Sequence, residues 1–225
     1  MEPLASKIRP KSLDEFIGQE HLVGEGKPLR VAMDQKSLFS FILWGPPGVG
    51  KTTLARLYAN AIDADFFELS AVEAGKDDIK KIVGERGAMQ FGKQKVLFID
   101  EIHRFNKAQQ DFLLPFVESG QIIFVGATTE NPSFEVIPAL LSRCRVFTLS
   151  ELSDEDMASI IAVAAKRLKT KLPKAARDFL VRAASGDARS AINILEQAHE
   201  LYGSISVETI TETMQSPTLR YDKKG

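Results

Sequence analysis

The sequence predicts an α/β protein followed by a small all-helical domain, and three observations carry that prediction. Residues 38–149 alternate short apolar runs with helix-like stretches, the runs are continuously apolar, and after Leu149 such runs stop. Continuous apolar runs describe strands covered on both faces, hence a five-stranded, mainly parallel sheet between helices. In order, "LFSFILW" is the first strand and ends in a glycine loop, and "TTLARLYANAI" is the helix that follows. "DFFEL" and "KVLFID" come next, separated by the helical "KDDIKKIVGERGA". "QIIFVGA" follows the helical "KAQQDFLLPFVES", and "RVFTL" is the fifth run. Beyond it, "LSDEDMASIIAVAAKRL" opens with Ser153, Asp154 and Asp156, which suit the positive end of a helix dipole. "PKAARDFLVRAAS" and "DARSAINILEQAHELY" read as two more helices with Gly186 between them, and "VETITETMQ" as a fourth. The expected division is 1–150 for the α/β domain and 151–225 for the helical one.

Composition bounds the function classes. With 225 residues, 44% hydrophobic and 26% charged, the chain is long enough to bury a sizeable core. One cysteine allows no internal disulfide and suits a reducing interior. No run approaches the roughly 18 apolar residues of a membrane span, and no short apolar run follows a basic amino terminus, so a cytoplasmic protein without membrane contact is expected. The net charge of −1 offers no global field for nucleic acid or membrane.

The chemistry begins at "GPPGVGKTT", residues 45–53, which fits the spacing G-x-x-x-x-G-K-[ST] between a strand and a helix. Gly45, Gly48 and Gly50 let the backbone curl through Pro46, Pro47 and Val49 so that N–H groups face phosphate oxygens, and the next helix adds its positive end. Lys51 can then reach the β- and γ-phosphates, Thr52 can ligate Mg2+, and Thr53 completes the stretch. ATP with Mg2+ is the expected ligand. In "VLFIDEIH", residues 96–103, a strand ends in Asp100, which can hold the magnesium shell, and Glu101, which can orient and deprotonate an attacking water. His103 is expected to be structural or to support neighbouring groups, because no companion ligands stand at metal-site spacing. "FVGATTE" ends in Thr128 and Thr129; a strand between those bearing the P-loop and the acidic pair would bring Thr129 near the γ-phosphate. Finally, Arg143 in "LLSRCRVFTL" has no carboxylate within four residues on either side. It is either a solvated arginine at a helix end or a cation whose partner lies elsewhere. Arg145 is expected to be solvated or ion-paired and Cys144 to be packed.

In this order and spacing, "GPPGVGKTT", "LFIDEIHRF", "GATTENPSF", "LLSRC" and "SGDARSAINILE" resemble the Walker A, Walker B, sensor 1, arginine-finger and sensor 2 motifs of AAA+ ATPases in the clamp-loader clade. Trp44, "HRFNKAQQDFLLPFVESG" and "GATTENPSFEV" resemble the family of replication-associated recombination protein A and the Werner helicase-interacting protein. The resemblance spans about residues 3–200. It implies that Arg143 reaches the ATP of a neighbouring subunit, and that Arg189 reaches from a helical lid to its own subunit's nucleotide. It also implies that "RPKSLDEFIGQEHLVG" closes over adenine, placing Arg9, Pro10, Phe16 and Ile17 beside the base. The family usually continues past "RYDKKG" into a helical domain that holds tetramers, so residues 217–225 would begin that oligomerisation region.

The resemblance implies a DNA-stimulated ATPase of replication-fork rescue, recombination and repair, with a nucleoid-associated cytoplasmic address. Its partners would be single-stranded DNA, duplex ends or forks, a homo-oligomer, and a single-strand-binding protein. The alternatives are a clamp-loader-like or Holliday-junction branch-migration motor subunit, and an ATP-switched scaffold that hydrolyses nothing. Two stretches could track DNA: residues 75–95, with six basic and three acidic side chains, and residues 165–182, with seven and one. Neither interleaves the aromatics of a stacking platform.

Overall fold

The computed structural model describes residues 2–84 and 93–215. The part of the first basic stretch at 85–92 and the expected oligomerisation start at 217–225 lie outside the described residues. In chain order the elements are α1 (Leu4–Lys7), α2 (Glu20–Val23), α3 (Pro28–Asp34), β1 (Phe41–Trp44), α4 (Lys51–Ala61), β2 (Asp65–Ser70), α5 (Lys76–Val83) and β3 (Lys95–Asp100). Then come α6 (Lys107–Glu118), β4 (Ile123–Thr128), α7 (Pro132–Glu135), α8 (Pro138–Leu141), β5 (Arg145–Thr148), α9 (Asp154–Leu168), α10 (Lys174–Ala184), α11 (Ala188–Tyr202) and α12 (Val207–Gln215). All five expected strands form, in one sheet of order β2-β3-β4-β1-β5. Every pairing is parallel.

The strand order follows from burial. All six residues of β4 are buried, as are the four inner residues of β3 and the first three of β1, so these strands take the centre. β2 and β5 expose half or more of their side chains to partial or full solvent and form the edges. Two parallel neighbours require crossovers, and α4, α5 and α6 supply them. β4 passes between β1 and β3, as expected, with Trp44 opposite Thr128 and Ile99 opposite Gly126. The C-terminal ends of three adjacent strands therefore release the P-loop, the acidic pair and the two threonines on one edge of the sheet, where parallel α/β folds bind ligands.

α4, the helix behind the P-loop, is anchored by an aromatic. Tyr58 is fully buried; its hydroxyl donates to the Ser37 carbonyl at 2.7 Å and accepts the Phe39 N–H at 3.1 Å. Its ring meets Phe41 of β1 edge-on at 4.9 Å. Burial pushes the phenol's pKa up, so it stays a neutral donor.

The chain divides into two compact units. One is Gln19–Ser150; the other joins the described residues up to Gly18 to those from Glu151 onward. Residues 2–18, expected within the α/β domain, thus pack with the helices. Leu4 is buried, and its N–H donates to both oxygens of Glu196 on α11, at 2.9 and 3.0 Å. That contact spans 192 positions, and no local pattern announces it. In this unit Ser153 and Asp156 cap α9 reciprocally, at 3.1 and 3.2 Å. Gly186, with φ of 80°, turns the chain between α10 and α11. Among the described residues, no helix is long and apolar enough to cross a membrane.

Candidate functional site

The P-loop runs from the end of β1 to the start of α4. Gly45 donates its N–H to the Thr128 carbonyl at 3.1 Å, and a Cβ there would sit 2.6 Å from the Leu149 carbonyl oxygen. Only glycine fits that approach. Gly48 and Gly50 take φ of 70° and 99°, the left-handed backbone that turns successive amides inward. Val49 is buried and pins the loop to the core, while Pro46 is half-buried and Pro47 exposed. Lys51, the first residue of α4, folds its ammonium across the loop and donates to the Gly45 and Pro46 carbonyls at 2.7 and 2.6 Å. Thr52 is buried beside it and Thr53 half-buried.

Asp100 ends β3 and accepts the N–H of Glu101 at 3.1 Å. Glu101 then takes φ 54°, ψ 46°. A non-glycine residue in the left-handed region costs about 1–2 kcal/mol. Here the conformation turns the chain immediately after the strand. The Glu101 carboxylate lies 3.8 Å from Arg104 Nε, a partly exposed pair. His103 Nδ1 lies 2.9 Å from Thr128 Oγ1, which also accepts the Glu130 N–H at 2.9 Å. Thr128 is 1% exposed, so this hydroxyl ties the acidic turn to the end of β4, and Thr129 is the exposed hydroxyl one residue on. Lys51, Thr52, Asp100, Glu101, Thr129 and Arg143 all lie in one unit; Arg9, Pro10, Phe16, Ile17 and Arg189 lie in the other.

Arg143 departs from expectation in one respect: it has a carboxylate partner in its own chain. Its Nη2 meets Glu118 Oε1, at the C-terminal end of α6, at 2.5 Å. Nη1 donates to the Ala139 carbonyl at 2.6 Å and to Ser142 Oγ at 3.1 Å. Glu118 stands 25 positions away, beyond any local reading. Arg145 is exposed, as expected, and its guanidinium also lies over the ring of Phe39 at 4.4 Å. Cys144 packs as expected against the apolar cluster of α6 and α8, and burial pushes its thiol up to about 12.

The basic stretches resolve differently. Lys76 and Lys80 of α5 hold their ammonium groups 5.8 and 5.9 Å from the ring of Phe112 on α6, beside an open groove that also takes in Asp111, Pro115 and Phe116. Phe112, on another helix, thus sets an aromatic face beside two described lysines of that stretch. In the second stretch Lys166, Arg167, Lys169, Lys171, Lys174 and Arg182 are exposed, and Arg177 pairs with Asp178 at 2.9 Å. Among the described residues, no cluster of three or more His, Cys, Asp or Glu could hold a metal by itself.

Comparison with known proteins gives a consistent neighbourhood. The family "ATPase family associated with various cellular activities (AAA)" matches residues 41–152, and the "AAA C-terminal domain" matches residues 165–225. Replication-associated recombination protein A of Escherichia coli K12 is 42% identical across all of this chain and 54% of its own length. ATPase WRNIP1 of Dictyostelium discoideum is 47% identical over 87% of the chain and 23% of its own length. A solved structure of Thermotoga maritima RuvB, titled as a Holliday junction branch migration motor, superposes with a TM-score of 0.75 at 31% identity, covering 92% of this chain and 72% of that one. The chain spans about half the length of the replication-associated recombination proteins A that it matches.

Proposed function

The chain belongs to the AAA family of ATPases, in the group of replication-associated recombination protein A and WRNIP1, and from that premise we propose that it binds and hydrolyses ATP in replication-fork rescue, recombination and DNA repair. The observation that carries the proposal is the strand order: β1, β4 and β3 are neighbours, so the loop Gly45–Gly50, the hydroxyls of Thr128 and Thr129, and the pair Asp100–Glu101 leave one edge of the sheet. Phosphates would be held by the loop's amides and by Lys51, whose ammonium already spans it. Thr52 and Asp100 are hard oxygen donors from adjacent elements. Such a pair suits Mg2+, which takes few protein ligands and completes its shell with water and phosphate. When bound, that ion neutralises charge developing on the phosphates.

Glu101 would take a proton from the water that attacks the γ-phosphorus, while the bond to the bridging β–γ oxygen breaks and ADP leaves with that electron pair. Thr129 would orient the water. Arg143 would stabilise charge at the neighbouring subunit's γ-phosphate. Arg189 joins the reading because it is an exposed cation in the first turn of α11, where the helix dipole disfavours positive charge and a purely stabilising role is poorly served. Arg9, Pro10, Phe16 and Ile17 are assigned to adenine by resemblance alone.

DNA stimulation, a tetrameric homo-oligomer, a single-strand-binding protein as partner and a nucleoid-associated cytoplasmic address belong to the same proposal. The groove of Lys76, Lys80 and Phe112 combines cations with an aromatic face, the composition that single strands favour. A second reading, a branch-migration motor, is favoured by the likeness to RuvB. The test is the ATPase rate of the full-length protein, with and without single-stranded, duplex-end and forked DNA, beside Lys51→Ala. Hydrolysis raised by one of these DNAs, and ATP affinity lost in Lys51→Ala, are expected. Normal ATP affinity in that variant by calorimetry overturns the phosphate cradle, and ATP-driven movement of a four-way junction selects the second reading.

A further inference from the structure

We propose that Glu118 is a positioning residue for Arg143, fixing the guanidinium so that it reaches a neighbouring subunit already oriented; the inference rests on the reading of Arg143 as a group that acts in trans. Arg143 lies just past α8, and its guanidinium is gripped on two sides. One nitrogen donates to the Ala139 carbonyl at 2.6 Å and Ser142 Oγ at 3.1 Å; the other meets Glu118 at 2.5 Å. A guanidinium carries five N–H donors; three are engaged among the described residues, and the other two lie in the same plane for an outside acceptor.

The arm that carries Arg143 is itself tied to the helix that carries Glu118. Gln110 of α6, 1% exposed, donates to the Phe105 and Glu135 carbonyls, each at 3.0 Å, and accepts the Ile137 N–H at 2.9 Å. These bonds fasten the link between α7 and α8 to the start of α6. Glu118, two helical turns further along, fastens the guanidinium to its end. α6 therefore braces both the base and the head of this arm, and it begins six residues after Glu101, behind the acidic turn.

Stability does not explain the ion pair. Both side chains are 40% or more exposed, and pairs at that exposure contribute little. Orientation does explain it: a free arginine would lose its rotamer freedom at the moment of reaction, whereas a braced one has lost it on folding. The carboxylate leaves the guanidinium charged and hydrogen-bonded in a fixed plane, which suits the fork-like recognition of a phosphate.

The experiment uses the full-length protein and mixed oligomers. Arg143→Ala subunits keep a complete site and lack the donor; Glu101→Gln subunits lack the base and keep the donor. Mixing them is expected to restore hydrolysis at the interface that combines the good site with the good arginine. A Glu101→Gln, Glu118→Ala subunit is then used as donor in place of Glu101→Gln. It is expected to restore roughly tenfold to 10²-fold less kcat, the scale of a misplaced catalytic group, with KM for ATP and the melting temperature unchanged. Glu118→Gln, which keeps the length and one acceptor oxygen, is expected to fall between the two. Equal rescue by the Glu118→Ala donor overturns the inference, and so does greater rescue, which would make Glu118 a restraint. If the Glu101→Gln donor restores nothing although a label proves subunit exchange, the trans reading of Arg143 fails first and the inference falls with it.

Discussion

The proposed phosphate cradle and the arginine turn are built by opposite means. On the proposed reading the working groups from Gly45 to Thr52 are backbone amides, and their placement comes from three glycines and one strand-to-helix junction in eight contiguous residues. Around Arg143 the working group is one side chain, and its placement comes from Ala139 and Ser142 nearby and Glu118 far along the chain. A backbone site tolerates changes in its exposed side chains but not an added Cβ at a crowded glycine. A side-chain site tolerates backbone-neutral changes but fails when a remote partner is removed. Between the two lies the acidic turn, where the carboxylate is a side chain and its direction is set by a left-handed backbone.

The largest effect is expected where the two kinds of construction meet. Glu101→Gln keeps the turn's shape and its N–H bond to Asp100 while removing the proposed proton acceptor. Turnover in the full-length protein is expected to fall roughly 10²-fold to 10⁴-fold, with ATP affinity retained. Unchanged single-turnover hydrolysis would move the base to another residue and leave the strained Glu101 backbone unexplained.

A smaller effect tests the backbone side of the comparison. In Gly45→Ala the new methyl carbon would meet the Leu149 carbonyl oxygen at 2.6 Å and the Leu149 Cβ at 2.9 Å. The neighbour is backbone of the chain leaving β5, so the overlap must be relieved by moving the loop. Destabilisation of about 1–3 kcal/mol is expected, with a lower melting temperature and weakened ATP binding in the same variant. A variant that melts like the parent and binds ATP as tightly would show that the cradle does not depend on this close approach.

The same contrast governs what could be read from sequence. The strands were legible because each is a continuous apolar run, and the cradle because its geometry is written in adjacent residues. The reading of Thr129 required β4 to lie between β1 and β3, and the observed order meets that condition. α6 formed through Pro115, a residue that usually ends helices, because its buried face packs on the sheet. What escaped depends on tertiary proximity: Glu118 beside Arg143, Phe39 under Arg145, Phe112 between two lysines, and Leu4 bonded to Glu196. Glu118 did carry one signal, an acid at a helix C-terminus, where the dipole disfavours it without a cation nearby.

The smallest effect on activity belongs to Cys144, and it tests whether the arginine turn is as firmly built as the cradle. Its thiol packs against the cluster that includes Leu113, Phe116 and Leu140, and burial pushes its pKa up to about 12. An unfolded cysteine titrates near 8.5, so at pH 8 the folded protein holds on the order of 10³-fold less thiolate. Alkylation by iodoacetamide is expected to be slow in the native protein and fast in denaturant, with little effect on ATP turnover before it occurs. The linkage has a definite sign. The folded state favours the protonated thiol, so this contribution to stability is complete below about pH 8.5 and is lost as pH rises toward 12. Cys144→Ser removes the titration and should flatten that part of the stability curve. Native alkylation as fast as the denatured rate would mean that the segment next to Arg143 opens readily. The guanidinium would then not be held in advance, and the contrast between a rigid cradle and a braced arginine would give way to one between a rigid cradle and a mobile arm.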